Sequence, residues 1–543
     1  MITLPVLFFL QFSLGLGNRI YSHSSMFSIR YATVLLFALA VSSLALSADK
    51  PNVVYVLADD LGWGDLSCFN KESKIQTPYL DKIAAQGMRF TDAHSGSAVC
   101  TPTRYGIITG RYSWRSRLKS GVLGGSSKHL INTNRYTVAD LLKDQGYHTA
   151  MIGKWHLGWD FHFDEGKPSN TFFLNSGEVI DYKKRVENGP DALGFDYYYG
   201  HCGSLDMAPY VYVENGKVTA APNRITVNDD YKGFWREGPT GSDFYHIDVT
   251  PNFVRRSIDY IEKRAKTGKP FFLYLPLPSP HTPILPIDEF EGKSGTNEYG
   301  DFVQQVDWHM GQIMDALKRS GVAEDTLFIF TSDNGCSPRA EFEELRKIGH
   351  EPGGIYRGNK ADVYEAGHRV PFIAHWPNGI RAGKASDATI CLTDLLATMA
   401  NILDADYPNN AGEDSVSFLP ALKGQAGQVR EATVHHSING SFAIRKGDWK
   451  LVLCPGSGGW STPRPAEAKK MSIPPIQLFN LRNDPSERNN LYLTNKDRVR
   501  GMYRLLESYV ENGRSTPGPK LSNEGITTID PDGFSELKRE LGL

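Results

Sequence analysis

The chain has 543 residues, more than one small domain needs and enough for a large catalytic core with a smaller module. Apolar residues make up 40% and charged residues 22%, which excludes a disordered or fibrous polypeptide. A formal net charge of −2 with no basic field gives no reason to expect nucleic acid as a partner.

Residues 1–48 read as an address. Two apolar runs occur, "LPVLFFLQFSLGLG" and "YATVLLFALAVSSLALSA". The second follows Met26 and Arg30 and ends in small residues around Ala45 to Ala48, the layout of a secretory signal, with a membrane anchor as the alternative. Met26 is therefore the expected start, with residues 1–25 an upstream extension and cleavage near Ala48. No later stretch approaches the roughly 20 apolar residues that span a bilayer, so export without stable membrane insertion is expected, to a periplasmic, extracellular or lysosome-like compartment.

From Pro51 the chain alternates strand and helix signals. "NVVYVLA" is a buried-strand run ending at Asp59-Asp60. "TPYLDKIAAQG" predicts a helix with Thr77 at the N-cap, Pro78 at its first position and Gly87 past its end, and "TVADLLKDQG" repeats that layout from Thr137 to Gly146. "HTAMIGKWH" is a strand running into a polar turn, and "PFFLYLPL" is a strand that ends just before His281. "DFVQQVDWHMGQIMDALKRSG" is a long amphipathic helix, and the strand "TLFIFTSDNG" delivers Asp333 and Asn334. This order predicts an α/β domain with a large, mostly parallel or mixed sheet flanked by helices over residues 49–404. Short strands and turns in "ATVHHSINGSFAIRKGDWKLVLCPG" and "IQLFNLRNDPSERNNLY" predict a smaller antiparallel-sheet module at 405–515, and residues 516–543 read as a polar tail across the surface.

Ligands in open α/β sheets gather at the carboxyl ends of strands. Asp59, Asp60, Lys154, His156, His281, Asp333 and Asn334 all follow predicted strands. An isolated "DD" after a strand reads as a turn. Together with "SDNG" it offers hard oxygens suited to Ca²⁺ or Mg²⁺ rather than zinc. Lys154 and His156, two apart in an extended "GKWHLG", are expected to point the same way. Six cysteines, Cys68, Cys100, Cys202, Cys336, Cys391 and Cys454, carry no metal-ligand spacing, and their pairing cannot be read. In "SAVCTPTRYGIITGRY", Pro102 sets Cys100 at the start of a helix, where anions bind and thiol pKa values fall, with Arg104 on the same turn. A buried structural cysteine is the alternative.

"CTPTR" followed by "YGIITG" resembles the signature of the type I, formylglycine-dependent sulfatases of the alkaline phosphatase superfamily. The similarity runs on through "NVVYVLADDLGWGD", "GKWHLG", "PHTP", "TSDNG", the "GNK" lysine Lys360, and "GDWKLV…LFNLRNDPSERNNL". One departure is "YEAGHRVP", where Ala366 stands for a more usual glycine. The resemblance implies an alkaline-phosphatase-like fold and a smaller C-terminal α+β module. It also implies that a maturation enzyme oxidises Cys100 to Cα-formylglycine, whose hydrate attacks sulfur. Ca²⁺, with Mg²⁺ as the other choice, would be held by Asp59, Asp60, Asp333 and Asn334, with the modified Cys100 beside it. Arg104 and Lys154 would hold the aldehyde-derived oxygen, and His156 would take a proton. His281 and Lys360 would bind sulfate and help the alcohol depart; which of them donates the proton is left open.

The expected substrate is an aryl sulfate or a sulfated saccharide, with 6-sulfated galactose or N-acetylgalactosamine first. That choice leans on export, an aromatic-rich segment between Trp159 and Phe253, and the "PSPHTP" and "YRGNKADVYEAGHRVPFI" loops. The competing readings are a phosphatase or phosphonate hydrolase of the same superfamily and a non-catalytic sulfated-glycan binder.

Overall fold

The computed structural model describes residues 50–163, 179–425 and 427–543. The expected signal and its cleavage point lie outside these residues, as does part of the aromatic-rich segment. No helix among the described residues is long and apolar enough to cross a membrane.

The run Asn52–Ala58 (β1) is rich in β-branched and aromatic residues, and all seven of its residues are buried. It lies in the middle of a ten-stranded sheet. The other strands are Met88–Phe90 (β2), His148–Lys154 (β3), Tyr197–His201 (β4), Val213–Glu214 (β5), Lys217–Val218 (β6), Phe271–Pro276 (β7), Thr326–Ser332 (β8), Phe372–His375 (β9) and Lys384–Ser386 (β10). Their spatial order is β10-β2-β9-β8-β1-β7-β3-β4-β5-β6. The block β8-β1-β7-β3-β4 is parallel throughout, with Val54 opposite both Leu273 and Phe328, while β9, β5 and β6 run antiparallel to their inner neighbours.

Strand alternation sends the two faces of β1 into different cores. Val53, Tyr55 and Leu57 join Ile107, Ile108, Leu141 and Leu396, from the helices Cys100–Thr109 (α2), Val138–Asp144 (α3) and Leu395–Ile402 (α6). Val54, Val56 and Ala58 join Leu80, Phe253, Val303 and Met310, from Pro78–Gln86 (α1), Val249–Ala265 (α4) and Glu298–Arg319 (α5). The result is a helix–sheet–helix sandwich, which explains why the parallel strands are apolar on both faces. Thr137 and Asp140 form a reciprocal capping box at the start of α3. Thr77 precedes α1 but makes no capping bond; its hydroxyl contacts Ser67 and Asp81.

Downstream, Thr433–His436 (β11), Phe442–Lys446 (β12), Trp449–Leu453 (β13) and Gln477–Asn480 (β14) form an antiparallel meander. One face packs on Lys496–Glu511 (α7) through Ile444, Leu451, Val499 and Leu506. The other packs Ala443, Val452 and Phe479 against Val363 and Tyr364, just past Lys360. The smaller sheet thereby backs the loop that carries Lys360.

Two expectations change, and the cysteine pairing that could not be read is now visible. The tail does not simply lie on the surface: Phe534 and Leu541 are buried in the α7 core, and Glu524 N–H donates to the Arg115 carbonyl (2.7 Å). All six cysteines are unpaired. Tyr198, Tyr199, Tyr210 and Tyr212 of the aromatic-rich segment are core residues, no more than 2% exposed and packed among Trp159, Phe244 and Phe253, so they present no stacking surface for a sugar.

Candidate active site

Adjacent parallel strands end on one edge, and the residues that follow them converge there. β8 delivers Asp333 and Asn334, β1 delivers Asp59 and Asp60, β7 leads to His281, and β3 delivers Lys154 and leads to His156. α2 starts at the same place with Cys100, behind an extended Val99 that offers no capping side chain. The Cys100 sulfur and carboxylate oxygens of Asp59 and Asp333 lie within 4.8 Å of one another. A group at Cys100 therefore meets these carboxylates at the start of α2.

The charges are paired and buried. Arg104 donates from Nε (3.1 Å) and Nη2 (2.8 Å) to Asp333 Oδ2 and from Nη1 to the Lys154 carbonyl (2.8 Å). Its Nη2 also lies 3.5 Å from Asp59 Oδ2. Lys154 Nζ donates to Asp59 Oδ2 and to Ser204 Oγ (3.1 Å). Lys360 Nζ donates to Asp60 Oδ2 (2.7 Å), and Asn334 Nδ2 to Asp60 Oδ1 (2.7 Å). The Asp60 N–H reaches Asp333 Oδ1 (3.2 Å) because Asp60 adopts a left-handed backbone, φ 66°. Such conformations are uncommon for non-glycine residues and cluster at functional sites.

Two buried acceptors stay orphaned in this network, Asp59 Oδ1 and Asn334 Oδ1. Buried polar atoms are almost always satisfied by protein or ordered water, and these two lie among carboxylates, where a cation can complete them. Three carboxylates and an amide, with two free oxygens among them, are the donor set of a hard divalent cation. Asp59, Asp60 and Asp333 balance Arg104, Lys154 and Lys360 in charge, so a divalent cation would leave the cavity positive and ready for an anion.

Titration follows from burial and these charges. Burial opposes ionisation of Asp59, but Lys154, His281 and Arg104 outweigh it and hold the carboxyl well below its ordinary range. Asp333 is pushed up, by burial and then by Asp59. Burial also pushes up the Cys100 thiol and outweighs the lowering by Lys154 and Lys360, contrary to the expectation of a depressed thiol at a helix start. An unmodified Cys100 is thus protonated at neutral pH and a poor nucleophile.

His156 does not extend the strand. β3 ends at Lys154, and His156 takes φ 53°, so two-residue alternation does not set its direction. Its Nε2 contacts the Leu123 carbonyl (2.7 Å), which fixes Nε2 as the protonated nitrogen and leaves the buried Nδ1 without a partner. Burial, then Lys154 and Arg104, hold this ring far below the usual histidine range, so it is neutral. His281 is also shifted down, by burial and then by Lys360; its Nδ1 faces the Thr282 carbonyl and its Nε2 lies 3.6 Å from Asp60 Oδ2. The "GKWHLG" glycine Gly153 is needed for close approach: a Cβ there would meet the Pro276 carbonyl at 2.0 Å. Ala366 sits in the short helix Glu365–His368, outside the left-handed region, and its N–H bonds the Arg357 carbonyl (2.8 Å), so a glycine is not required.

All ten site residues singled out in the sequence come together in this one buried cluster. Ser204 was missed. Its hydroxyl accepts from Lys154 and lies 3.4 Å from both ring nitrogens of His281. The carboxyl-edge rule applied to β4 reaches it, since Ser204 follows that strand by three residues.

Known proteins agree with this architecture. A sequence model of the sulfatase family matches residues 51–405. The N-acetylgalactosamine-6-O-sulfatase of Bacteroides thetaiotaomicron is 35% identical over 500 residues, covering 85% of this chain and 93% of that protein. Arylsulfatase A of Homo sapiens is 32% identical over 472 residues, covering 84% and 86%. A chain solved in work on the metabolism of multiple glycosaminoglycans by Bacteroides thetaiotaomicron superposes with a TM-score of 0.74 at 33% identity, over 85% of this chain and 99% of that one. With a sequence relationship over most of its length and a superposable fold, this chain belongs to the sulfatase family and is a sulfuric ester hydrolase on an alkaline-phosphatase-like fold.

Proposed function

We propose that the protein hydrolyses the 6-sulfate of N-acetylgalactosamine or galactose at the end of a sulfated saccharide, through Cys100 matured to Cα-formylglycine and a Ca²⁺ held by Asp59, Asp60, Asp333 and Asn334. The observation that carries this reading is the pair of orphaned oxygens on Asp59 and Asn334 beside Cys100. Ester and water become alcohol and hydrogen sulfate. Held by Asp59, Asp60, Asp333 and Asn334, a divalent cation would supply Lewis acidity to a sulfate oxygen and to a neighbouring hydroxyl. Oxidation of Cys100 by a maturation enzyme supplies a hydrated aldehyde as nucleophile, which a buried thiol cannot match.

The remaining steps fall to side chains already in position. Arg104 orients Asp333, and Lys154 orients Asp59, each from a buried site. Neutral His156 offers the Nδ1 lone pair as general base, with Nε2 locked on Leu123. Lys360 keeps a fixed ammonium at Asp60 for the sulfate, because Asp60 holds it charged against the opposing effect of burial. His281 is the group whose protonation can change as the leaving oxygen departs, because its Nε2 makes only long contacts, to Ser204 Oγ (3.4 Å) and Asp60 Oδ2 (3.6 Å). The substrate class draws on the relatives named for N-acetylgalactosamine-6-sulfate hydrolysis. Export after cleavage near Ala48 fits an extracellular saccharide.

The decisive measurement is the mass of the peptide carrying Cys100 from enzyme made alongside a formylglycine-generating enzyme. Formylglycine is expected; a fully alkylatable thiol in active protein refutes the mechanism. Turnover of sulfated saccharides is expected to exceed that of an aryl sulfate in kcat/KM. If only the aryl sulfate reacts, the saccharide assignment fails.

A further inference from the structure

Beside Lys360, the loop from Glu351 to Asn359 faces Ser461, Thr462, Ser486 and Arg488 of the C-terminal module across a cleft of about 540 Å³. That is room for a sugar ring with its substituents. The cleft adjoins the catalytic cavity on both walls. Asn359 precedes Lys360, whose N–H bonds the carbonyl of Cys336 (2.9 Å), a cleft residue two positions after Asn334. Opposite, the ring centroid of the part-exposed Trp460 lies 6.0 Å from Lys360 Nζ, and Ser461 and Thr462 continue from it into the cleft.

The lining is cationic. Arg346, Arg357 and Arg488 face one carboxylate, Glu351, which already accepts from Arg346 Nε (2.8 Å). Arg357 lies 4.0 Å from the Tyr364 ring and donates to the Glu487 carbonyl (2.9 Å), leaving it without a carboxylate. The Arg488 guanidinium has no partner among the described residues. Asp362, behind Ser461, is taken up by the Ser461 hydroxyl and by the N–H groups of Asn359, Trp460 and Ser461. Asn359 Oδ1 is buried with no donor and can accept from a hydroxyl or an acetamido N–H.

We propose that this cleft is a second anion subsite: it holds the oxyanion, a carboxylate or a second sulfate, of the sugar next to the one being desulfated. The inference rests on the saccharide reading of the active site. It makes the smaller sheet part of substrate recognition and selects polyanionic chains over isolated sulfated sugars. Arginine suits planar, bidentate recognition of such groups.

The test compares four defined substrates: the 6-sulfated N-acetylgalactosamine monosaccharide, its disaccharide with a uronate, that disaccharide with the carboxyl reduced to an alcohol, and a disaccharide whose neutral neighbour carries a second sulfate. Wild-type KM is expected to be about tenfold lower for an anionic disaccharide than for the reduced one, the size of one charge-assisted contact. Arg488→Ala and Arg357→Gln should erase that advantage while leaving the monosaccharide and the reduced disaccharide unchanged. The uronate and disulfated arms tell which oxyanion is preferred. Equal KM for charged and reduced disaccharides, or equal losses on the monosaccharide, overturns the subsite and leaves the sulfatase assignment standing. If no saccharide turns over, calorimetric binding of the same disaccharides to Cys100→Ala protein reads the cleft directly. There an affinity independent of the neighbour's charge overturns the proposal.

Discussion

Replacing Asp333 by alanine separates the two tasks assigned to that carboxylate. Its oxygens accept from Arg104 Nε and Nη2 and from the Asp60 N–H. The variant leaves Arg104 fully buried, with only the Lys154 carbonyl and a 3.5 Å approach to Asp59. Breaking a buried ion pair from one side costs about 3–5 kcal/mol. Unfolding entropy is about 2.1 cal/mol/K per residue, so the compact unit from Pro51 to Leu543 loses about 1 °C in Tm for each kcal/mol. In chelated protein the expected drop is at the low end, about 3 °C, because Asp333 is pushed toward its neutral form when no cation is bound. Ca²⁺ at a hundred times its Kd should stabilise the wild type by about 2.7 kcal/mol, raising its Tm by roughly another 3 °C. Asp333→Ala should lose that increment, so the gap between the two proteins roughly doubles when Ca²⁺ is added. Scanning calorimetry with chelator and with Ca²⁺ gives all four values, and kcat/KM should fall by at least about 10²-fold. A Ca²⁺ increment equal in both proteins, or absent from the wild type, refutes the cation assignment.

Further outcomes are expected. Cys100→Ala should fold with near wild-type Tm and have no measurable turnover; residual activity above background sinks the nucleophile. Acid should destabilise the protein through buried neutral histidines. Burial lowers His94, His309 and His436 to about 4, and for His94 it outweighs the opposing pull of Glu365 and Asp92. The unfolded rings bind protons below about 6.5 and the folded ones only below about 4, so stability falls as pH drops through that window and levels off beneath it. Each ring contributes up to about 1.4 kcal/mol per pH unit, and His309→Gln should flatten a plot of Tm against pH. An unchanged slope rejects the assignment for that ring. Truncation after Thr516 removes Phe534 and Leu541 from the α7 core and should cost about 4 kcal/mol in denaturant unfolding. A midpoint equal to full length would show that the tail contributes nothing.

What the sequence determined by itself was local. Apolar runs ending in polar residues marked β1, β3, β7 and β8, because strand burial and the carboxyl-edge rule depend on a few neighbours along the chain. Pro102 and the apolar run after it set Cys100 at a helix start, and Thr137 with Asp140 marked a cap, for the same reason. Only the tertiary structure decided what depends on summed burial and charge. The thiol of Cys100 is raised because desolvation outweighs two lysines far away in sequence. Four tyrosines that could have lined a sugar pocket belong to the core, since patterning does not reveal which neighbours cover a ring. His156 takes a left-handed φ that its residue type does not announce and turns Nε2 to the Leu123 carbonyl, and Ser204 joins Lys154 to His281 only because β4 lies beside β3. Convergence of ten residues spread over three hundred positions is likewise a property of strand order, and the pairing of β1 with β8 is what brings Asp59 and Asp60 beside Asp333 and Asn334.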